Sequence, residues 1–266
     1  HSVAEHAVFN FDIINVSRLA VEEIERFRLC SYTEKSQRYV KMAGDFVIPT
    51  ELTNSSLLKE YLKVIKTQNE CYCYLFDKLR KNILADKHNL EPLQLKTLEN
   101  QAKEDARYIL SLATKTQRGA TINGRNLEMM LRRFAGHRLT EVRQLGEAIF
   151  QRVKKVAPSI IVFYRASDYE KMTYPELATM ANRFLKDDLN KKPNDVSLIS
   201  FTPDGDDRIL AALLHTSSKA SYSNCLGQVK KLRNAEKIGV IKKGLKHMQL
   251  YDVLPREFEY VNLTVE

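Results

Sequence analysis

Residues 26–39 crowd three guanidiniums (Arg26, Arg28, Arg38), three Ser/Thr hydroxyls (Ser31, Thr33, Ser36) and the carboxylate of Glu34 into fourteen positions. Arginine pairs with phosphate through two parallel N–H donors, hydroxyls add neutral hydrogen bonds, and a carboxylate can hold sugar hydroxyls or a base N–H. These are the groups that hold a nucleoside monophosphate. The same composition also fits a solvated basic turn paired with Glu22, Glu23 and Glu25, and such surface pairs contribute little to stability. Composition leaves both readings open.

The elements that must position this segment follow from the spacing of apolar residues. Phe9, Phe11 and Ile13 alternate with Asn10 and Asp12, the period of a strand with one buried face. Ser17 is placed to cap a helix carrying Leu19, Val21, Ile24 and Phe27, which runs into the basic segment. Leu58, Leu62, Ile65, Leu75, Leu79 and Ile83 predict one long or two successive helices over residues 54–84. Pro92, tolerated in a first turn, opens a helix that contains Leu98, Ala102, Ala106 and Ile109 and brings Glu104 and Arg107 together at its end. A third helical stretch is predicted over residues 126–156, from Leu127, Met130, Leu131, Phe134, Val142, Leu145, Ile149 and Val153, and Thr173 and Pro175 start a short one. The first two-thirds is therefore mainly helical on a small sheet.

With 44% apolar residues and only 9 Gly and 7 Pro in 266, the chain has an ordinary composition for one large domain or two small ones. It contains no run of ~18 uncharged apolar residues. His1, Glu5 and His6 do not form a basic region ahead of an apolar stretch, so neither a membrane span nor a signal peptide is indicated and a cytoplasmic location is expected. Cys30, Cys71, Cys73 and Cys225 are too scattered for a disulfide framework, and Cys71 and Cys73 have no second pair at zinc-site spacing. They are expected to be reduced and semi-buried, with no metal. The net charge of +9 favours anionic partners without separating a nucleic-acid polymer from nucleotides. Lys230, Lys231 and Arg233, and Lys242, Lys243 and Lys246, have the spacing of a solvated helix face and accompany no nucleic-acid module, so no polymer is expected to bind. Gly-rich phosphate loops are absent.

The basic segment resembles the signature of the flavin-dependent thymidylate synthases, Arg-His-Arg followed by seven residues and Ser. Arg26, Arg28 and Ser36 stand at that spacing, with Arg38 and Tyr39 just after. His1 and Ser2, then Glu5, His6, Phe9 and Phe11, are similar to the family's approach to it, and Glu104, Ala106, Arg107, Asn123 and Arg125 follow in the family's order. The resemblance covers roughly residues 1–170. It implies an α+β fold of long helices on a small, mostly antiparallel sheet, and the FAD-dependent reductive methylation of dUMP to dTMP with methylenetetrahydrofolate and NADPH. Glu34, Ser36, Arg38 and Arg107 would hold dUMP, with Arg38 and Arg107 on its phosphate, while His1, Arg26, Arg28, Asn123 and His137 would contact FAD. Ser36 and Arg133 would serve catalysis.

Departures from the family pattern concentrate at one end. Phe27 replaces the signature His, Glu23 stands for Gln, and Met129 stands for Asn. The Arg that polarises the pyrimidine falls on Phe134 in an ungapped register and on Arg133 after a one-residue slip. Loss of such an Arg costs on the order of 10²–10³ in rate, and a domain without it would have weak or absent catalysis with a nucleotide-binding or scaffold role.

The polar stretch 186–194 is the expected domain boundary, with a strand over 196–201, a turn at Thr202, Pro203, Asp204 and Gly205, and a helix over 206–214 beyond it. Residues 196–204, Ala211 and Ala212, residues 221–223 and His247 resemble the opening part of the same family fold. His247 followed by a strand at Phe258 and Tyr260 echoes His1 followed by Phe9, Phe11 and Ile13. The expected organisation is a family domain over 1–185 without its opening part, then that opening part from a second copy over 195–266. A tandem fragment is favoured over a circular permutation, because Val261, Leu263 and Val265 alternate as a half-buried strand up to Glu266. The two copies, or a homo-oligomer like the family's tetramer, would complete the sites.

Overall fold

The structure, a computed structural model, describes residues 2–85, 87–185 and 195–266; His1 and the expected boundary 186–194 lie outside them. The chain divides into two compact units, His1–Phe184 and Leu185–Glu266.

In the first unit a 3-10 turn, Ser2–Glu5, leads into β1 (Val8–Ser17). Ser17 ends the strand and caps α1 (Arg18–Glu25), its hydroxyl accepting from the Ala20 N–H at 3.0 Å. β2 (Ser31–Glu34) follows, and then a loop that carries Ser36 and Arg38. Residues 54–84 resolve into one helix, α2 (Leu58–Leu84), and Pro92 opens α3 (Pro92–Ala106). These two pack on each other around Tyr72, Phe76, Ala102 and Ala106. Arg107 falls in a 3-10 turn, Arg107–Ile109, just past α3.

The chain then forms β3 (Lys115–Asn123), a strand the apolar pattern does not reveal. It is nevertheless the centre of the sheet, whose order is β1-β3-β2 with both pairings antiparallel. Its inward residues are Thr116, Arg118, Ala120 and Ile122, all buried, so half of the inward face is polar and the period-2 signal is lost. Asn15, at φ 60°, sits where the β1–β3 register shifts between Ile14 and Val16, a bulge in a conformation that Asn tolerates better than most residues.

The stretch 126–156 is two helices rather than one, α4 (Gly124–Ala135) and α5 (Thr140–Val156). Gly136 caps α4, and the break is held by its own hydrogen bonds. Arg143 donates to the carbonyls of His137 and Arg138 at 2.6 and 2.9 Å, and Glu51 accepts from the Thr140 N–H at 2.8 Å. α1, α4 and α5 cover one face of the sheet with Ile24, Leu127, Met130, Leu131, Phe134 and Val142 in the core. α6 runs Asp168–Phe184, starting ahead of the expected Thr173 and holding Pro175 in its interior. Ser167 and Glu170 bond reciprocally at its start. No residue of α6 is buried, so water can satisfy the carbonyl that Pro175 leaves without a donor.

In the second unit β4 (Leu198–Phe201) pairs antiparallel with β5 (Leu263–Val265). α7 (Gly205–Thr216) packs on α8 (Tyr222–Val229) through Leu210, Ala211, Cys225 and Val229, and α9 (Asn234–Gly244) follows. Phe258 and Tyr260 lie not in a strand but in a 3-10 turn, Arg256–Tyr260, which Pro255 opens by accepting from the Phe258 N–H at 3.1 Å. The strand comes after this turn, and its three residues are exposed rather than half-buried.

Candidate functional site

The loop after β2 and the end of α3 bring Arg38, Arg107 and Glu104 together, although 64 residues separate Lys103 from Tyr39, another pair in contact there. A Glu104 carboxylate oxygen lies 3.7 Å from an Arg38 nitrogen and 3.9 Å from an Arg107 nitrogen. The two guanidiniums thus converge on one anionic position. Lys103 Nζ donates to the Tyr39 carbonyl at 3.2 Å, tying the loop to α3. Within the loop, Ser36 Oγ accepts from the Arg38 N–H at 3.2 Å. Each arginine also lies near the ring of the tyrosine that follows it, Tyr39 and Tyr108, both exposed. Carboxylate and phosphate satisfy a guanidinium fork by the same geometry, so this trio can exchange its internal anion for a ligand's.

Glu34 does not join that trio. It faces Arg118 across the β2–β3 pairing, and its oxygens are engaged inside the fold. One pairs with Arg18 and accepts from Thr116 Oγ1 at 3.1 Å, while the other lies 3.4 Å from Arg118. Arg118 also pairs with Glu25, and its guanidinium lies 4.6 Å from the Tyr32 ring centroid. Burial pushes the Tyr32 phenol well above its ordinary value. Its hydroxyl donates toward the carbonyls of Ile24 and Phe27 at 2.8 and 3.0 Å. Arg18, Glu25, Thr116 and Arg118 were not legible as site-related residues, since three of them depend on the hidden strand β3 or on contact with it.

The third group lies where α1 ends and α4 turns into α5. Glu23, buried, receives His137 Nε2 at 3.3 Å and Arg26 at 3.1 Å. His137 Nδ1 accepts from the Leu139 N–H at 3.1 Å, which leaves the ring proton on Nε2 toward Glu23. Burial lowers the His137 pKa below its ordinary value, against the opposing pull of Glu23. Phe27 is buried and meets Phe134 edge-on with centroids 5.8 Å apart, and the Arg133 guanidinium lies 5.5 Å from the Phe27 ring centroid. Phe134 thus belongs to the core and Arg133 points to the Phe27 side, exposed.

Arg28 is exposed, and Arg26 keeps most of its surface outside its pair with Glu23. Asn123 caps α4 by accepting from the Asn126 N–H at 2.9 Å, and Arg125 pairs with Glu5. His1 lies outside the described residues. A cleft of about 600 Å³ in this unit is lined by Leu131, Thr140, Arg143, Tyr164, Arg165 and their neighbours and shares no residue with the three groups. Of the expected site residues, Arg26, Arg28, Arg38 and Arg133 are exposed, Ser36, Arg107, Asn123 and His137 are partly exposed, and Glu34 is held inside the fold. Among the described residues no cluster with the makings of a metal site occurs, no helix is long and apolar enough to cross a membrane, and the four cysteines are free, Cys225 buried and Cys73 exposed.

The model of the family described as "Thymidylate synthase complementing protein" matches residues 1–159. The flavin-dependent thymidylate synthase of Clostridium tetani is 32% identical over 165 residues, covering 61% of this chain and 64% of that protein. That of Sulfolobus acidocaldarius is 29% identical over 168 residues, covering 61% and 55%. A solved flavin-dependent thymidylate synthase from Helicobacter pylori, complexed with FAD and dUMP, aligns with TM-score 0.41 and 24% identity over 62% of this chain and 76% of that one. The chain spans 64% and 55% of the length of the two curated relatives. With the family match extending over more than half of its residues, the chain belongs to the thymidylate synthase complementing family, that of the flavin-dependent thymidylate synthases.

Proposed function

We propose that this chain binds FAD and dUMP and takes part in the reductive methylation of dUMP to dTMP, with methylenetetrahydrofolate as carbon source and NADPH as reductant. The observation that carries the reading is the convergence of Arg38 and Arg107 on Glu104, two guanidiniums from separate elements around one anionic position. In this reading the dUMP phosphate takes the place of the Glu104 carboxylate, and Ser36 adds its hydroxyl from the same loop. Arg26 and Arg28, two exposed guanidiniums just beyond α1, have the donor chemistry for the FAD diphosphate, with His1, Asn123 and His137 as the other candidate contacts. Bound FAD supplies the hydride chemistry, while the protein orients and polarises.

Arg133 is the residue assigned to polarising the pyrimidine, because it faces outward beside Phe27 whereas Phe134 is core. Loss of one donor aimed at developing charge typically costs on the order of 10²–10³ in rate. The exposed placement of Arg26, Arg28, Arg38 and Arg133 agrees with completion by a second copy of the fold, as a tandem neighbour or in a homo-oligomer. Residues 195–266 are read as the opening part of such a copy. Their 3-10 turn and strand, Arg256–Tyr260 and Leu263–Val265, repeat the order of Ser2–Glu5 and Val8–Ser17, and Asn262, Leu263, Thr264 and Val265 follow the pattern of Asn10, Phe11, Asp12 and Ile13.

The test is an absorbance spectrum across the flavin bands, with and without added FAD, followed by titration with dUMP. A bound-flavin spectrum that dUMP perturbs is the expected result. Protein that stays colourless in excess FAD overturns the reading.

A further inference from the structure

We propose that Arg118 is a positioning residue for the anion-binding loop, acting through Glu34, and that Glu34 itself serves by fixing the loop rather than by touching nucleotide. The inference rests on the functional reading above and assigns a mechanism to that same site. Arg118 occupies the central strand, with Ile13 of β1 on one side and Glu34 of β2 on the other. It is buried, and its Nε has no hydrogen-bond partner among the described residues. Carrying a guanidinium into a sheet–helix interface is costly unless carboxylates face it. Here Glu25 from α1 and Glu34 from β2 do so, and the Tyr32 ring lies against it.

Glu34 is the last residue of β2, and Ser36 and Arg38 come two and four positions later. The last backbone tie to the sheet ahead of Ser36 and Arg38 is the Lys35 N–H to the Gln117 carbonyl at 3.2 Å, one residue from Arg118. With one oxygen held by Arg18 and Thr116 and the other facing Arg118, the Glu34 carboxylate is clamped from two sides. That clamp sets where the strand stops and in which direction Ser36 and Arg38 leave it. Those contacts turn both oxygens toward partners inside the fold, two on one oxygen and one on the other.

The test is amide hydrogen exchange across residues 35–40 of the ligand-free protein, paired with the dUMP dissociation constant from titration calorimetry. It compares wild type with Arg118→Met, Arg118→Lys and the double variant Arg118→Met/Glu34→Gln. The Arg38, Tyr39 and Val40 amides, bonded to Ser36 in the native loop, should exchange about tenfold or more faster in Arg118→Met, while the Phe9–Ile122 end of the sheet keeps its protection. dUMP affinity should fall about tenfold, the scale of one charge-assisted contact misplaced. Arg118→Lys, a point charge without the fork, should recover part of both. Should Arg118→Met fail to fold, the double variant, which buries neither charge, must show the same loop-specific change. Loop exchange and affinity like wild type, or exchange that rises equally throughout the sheet, overturns the proposal. Faster loop exchange in a protein whose wild type does not bind dUMP removes the nucleotide reading and leaves the positioning role supported.

Discussion

Two Arg–carboxylate–Arg arrangements occur in the first unit, Arg18–Glu34–Arg118 and Arg38–Glu104–Arg107, and they do opposite work. Arg18, Glu34 and Arg118 have side chains 21%, 19% and 7% exposed, whereas Arg38, Glu104 and Arg107 are 48%, 42% and 31% exposed. In the first, Arg118 is buried, and a guanidinium left there without its carboxylates is poorly hydrated. In the second, water competes with each contact and the internal pairs are worth about 0–1 kcal/mol. The same chemistry is therefore a fastening in one place and an exchangeable seat in the other. Solvent access, rather than residue type, decides which arginines remain available to an external anion.

The sharpest way to break this comparison is Arg118→Met, which leaves Glu25 and Glu34 facing a neutral side chain. It should destabilise the protein by about 3–5 kcal/mol in denaturant titration, and a loss below about 1 kcal/mol would put the two arrangements in one class. Arg38→Met and Arg107→Met should each change stability by less than about 1 kcal/mol. Each should nevertheless weaken dUMP binding by about 10- to 100-fold in calorimetry, the loss of a charge-assisted hydrogen bond. Glu104→Gln removes the internal anion and should tighten dUMP by about three- to fivefold, within the range of an exposed pair; unchanged or weaker binding would show that Glu104 does not compete for the seat.

The smallest expected effect concerns His137. Its folded pKa lies below the ordinary value of about 6.5, because burial disfavours the charged ring. Between those two values the unfolded chain takes up a proton that the folded chain refuses. This contribution to stability is therefore present above about pH 6.5 and is lost as the pH falls toward the folded value. Unfolding curves measured from neutral to mildly acidic pH should show that slope in wild type and a shallower one in His137→Gln. Equal slopes would mean that burial and the Glu23 pairing cancel at this ring, and a steeper slope in the variant that the pairing outweighs burial.

Much of the fold was legible because apolar spacing reports directly on buried faces. β1 and α2 follow from that rule, and the Ser17 cap and the Pro92 start of α3 follow from the local chemistry of helix starts. β3 was not legible, because a strand that buries Thr116 and Arg118 carries no apolar alternation at half its inward positions. The α4–α5 break was hidden by an apolar pattern that stays in phase across Gly136, and the 3-10 turn at Phe258 and Tyr260 imitates a strand because two aromatics two residues apart satisfy either local geometry. The sequence by itself determined the family signature, the helical periods and the concentration of anion-binding groups at residues 26–39, all of which are local in the chain. Only the tertiary structure decided that Arg38 meets Arg107 across Glu104, that Glu34 is clamped by Arg18 and Arg118, and that Arg133 rather than Phe134 faces outward. Burial and partner choice depend on which distant segments fold together, and they determine whether a charge fastens the fold or remains open to a ligand.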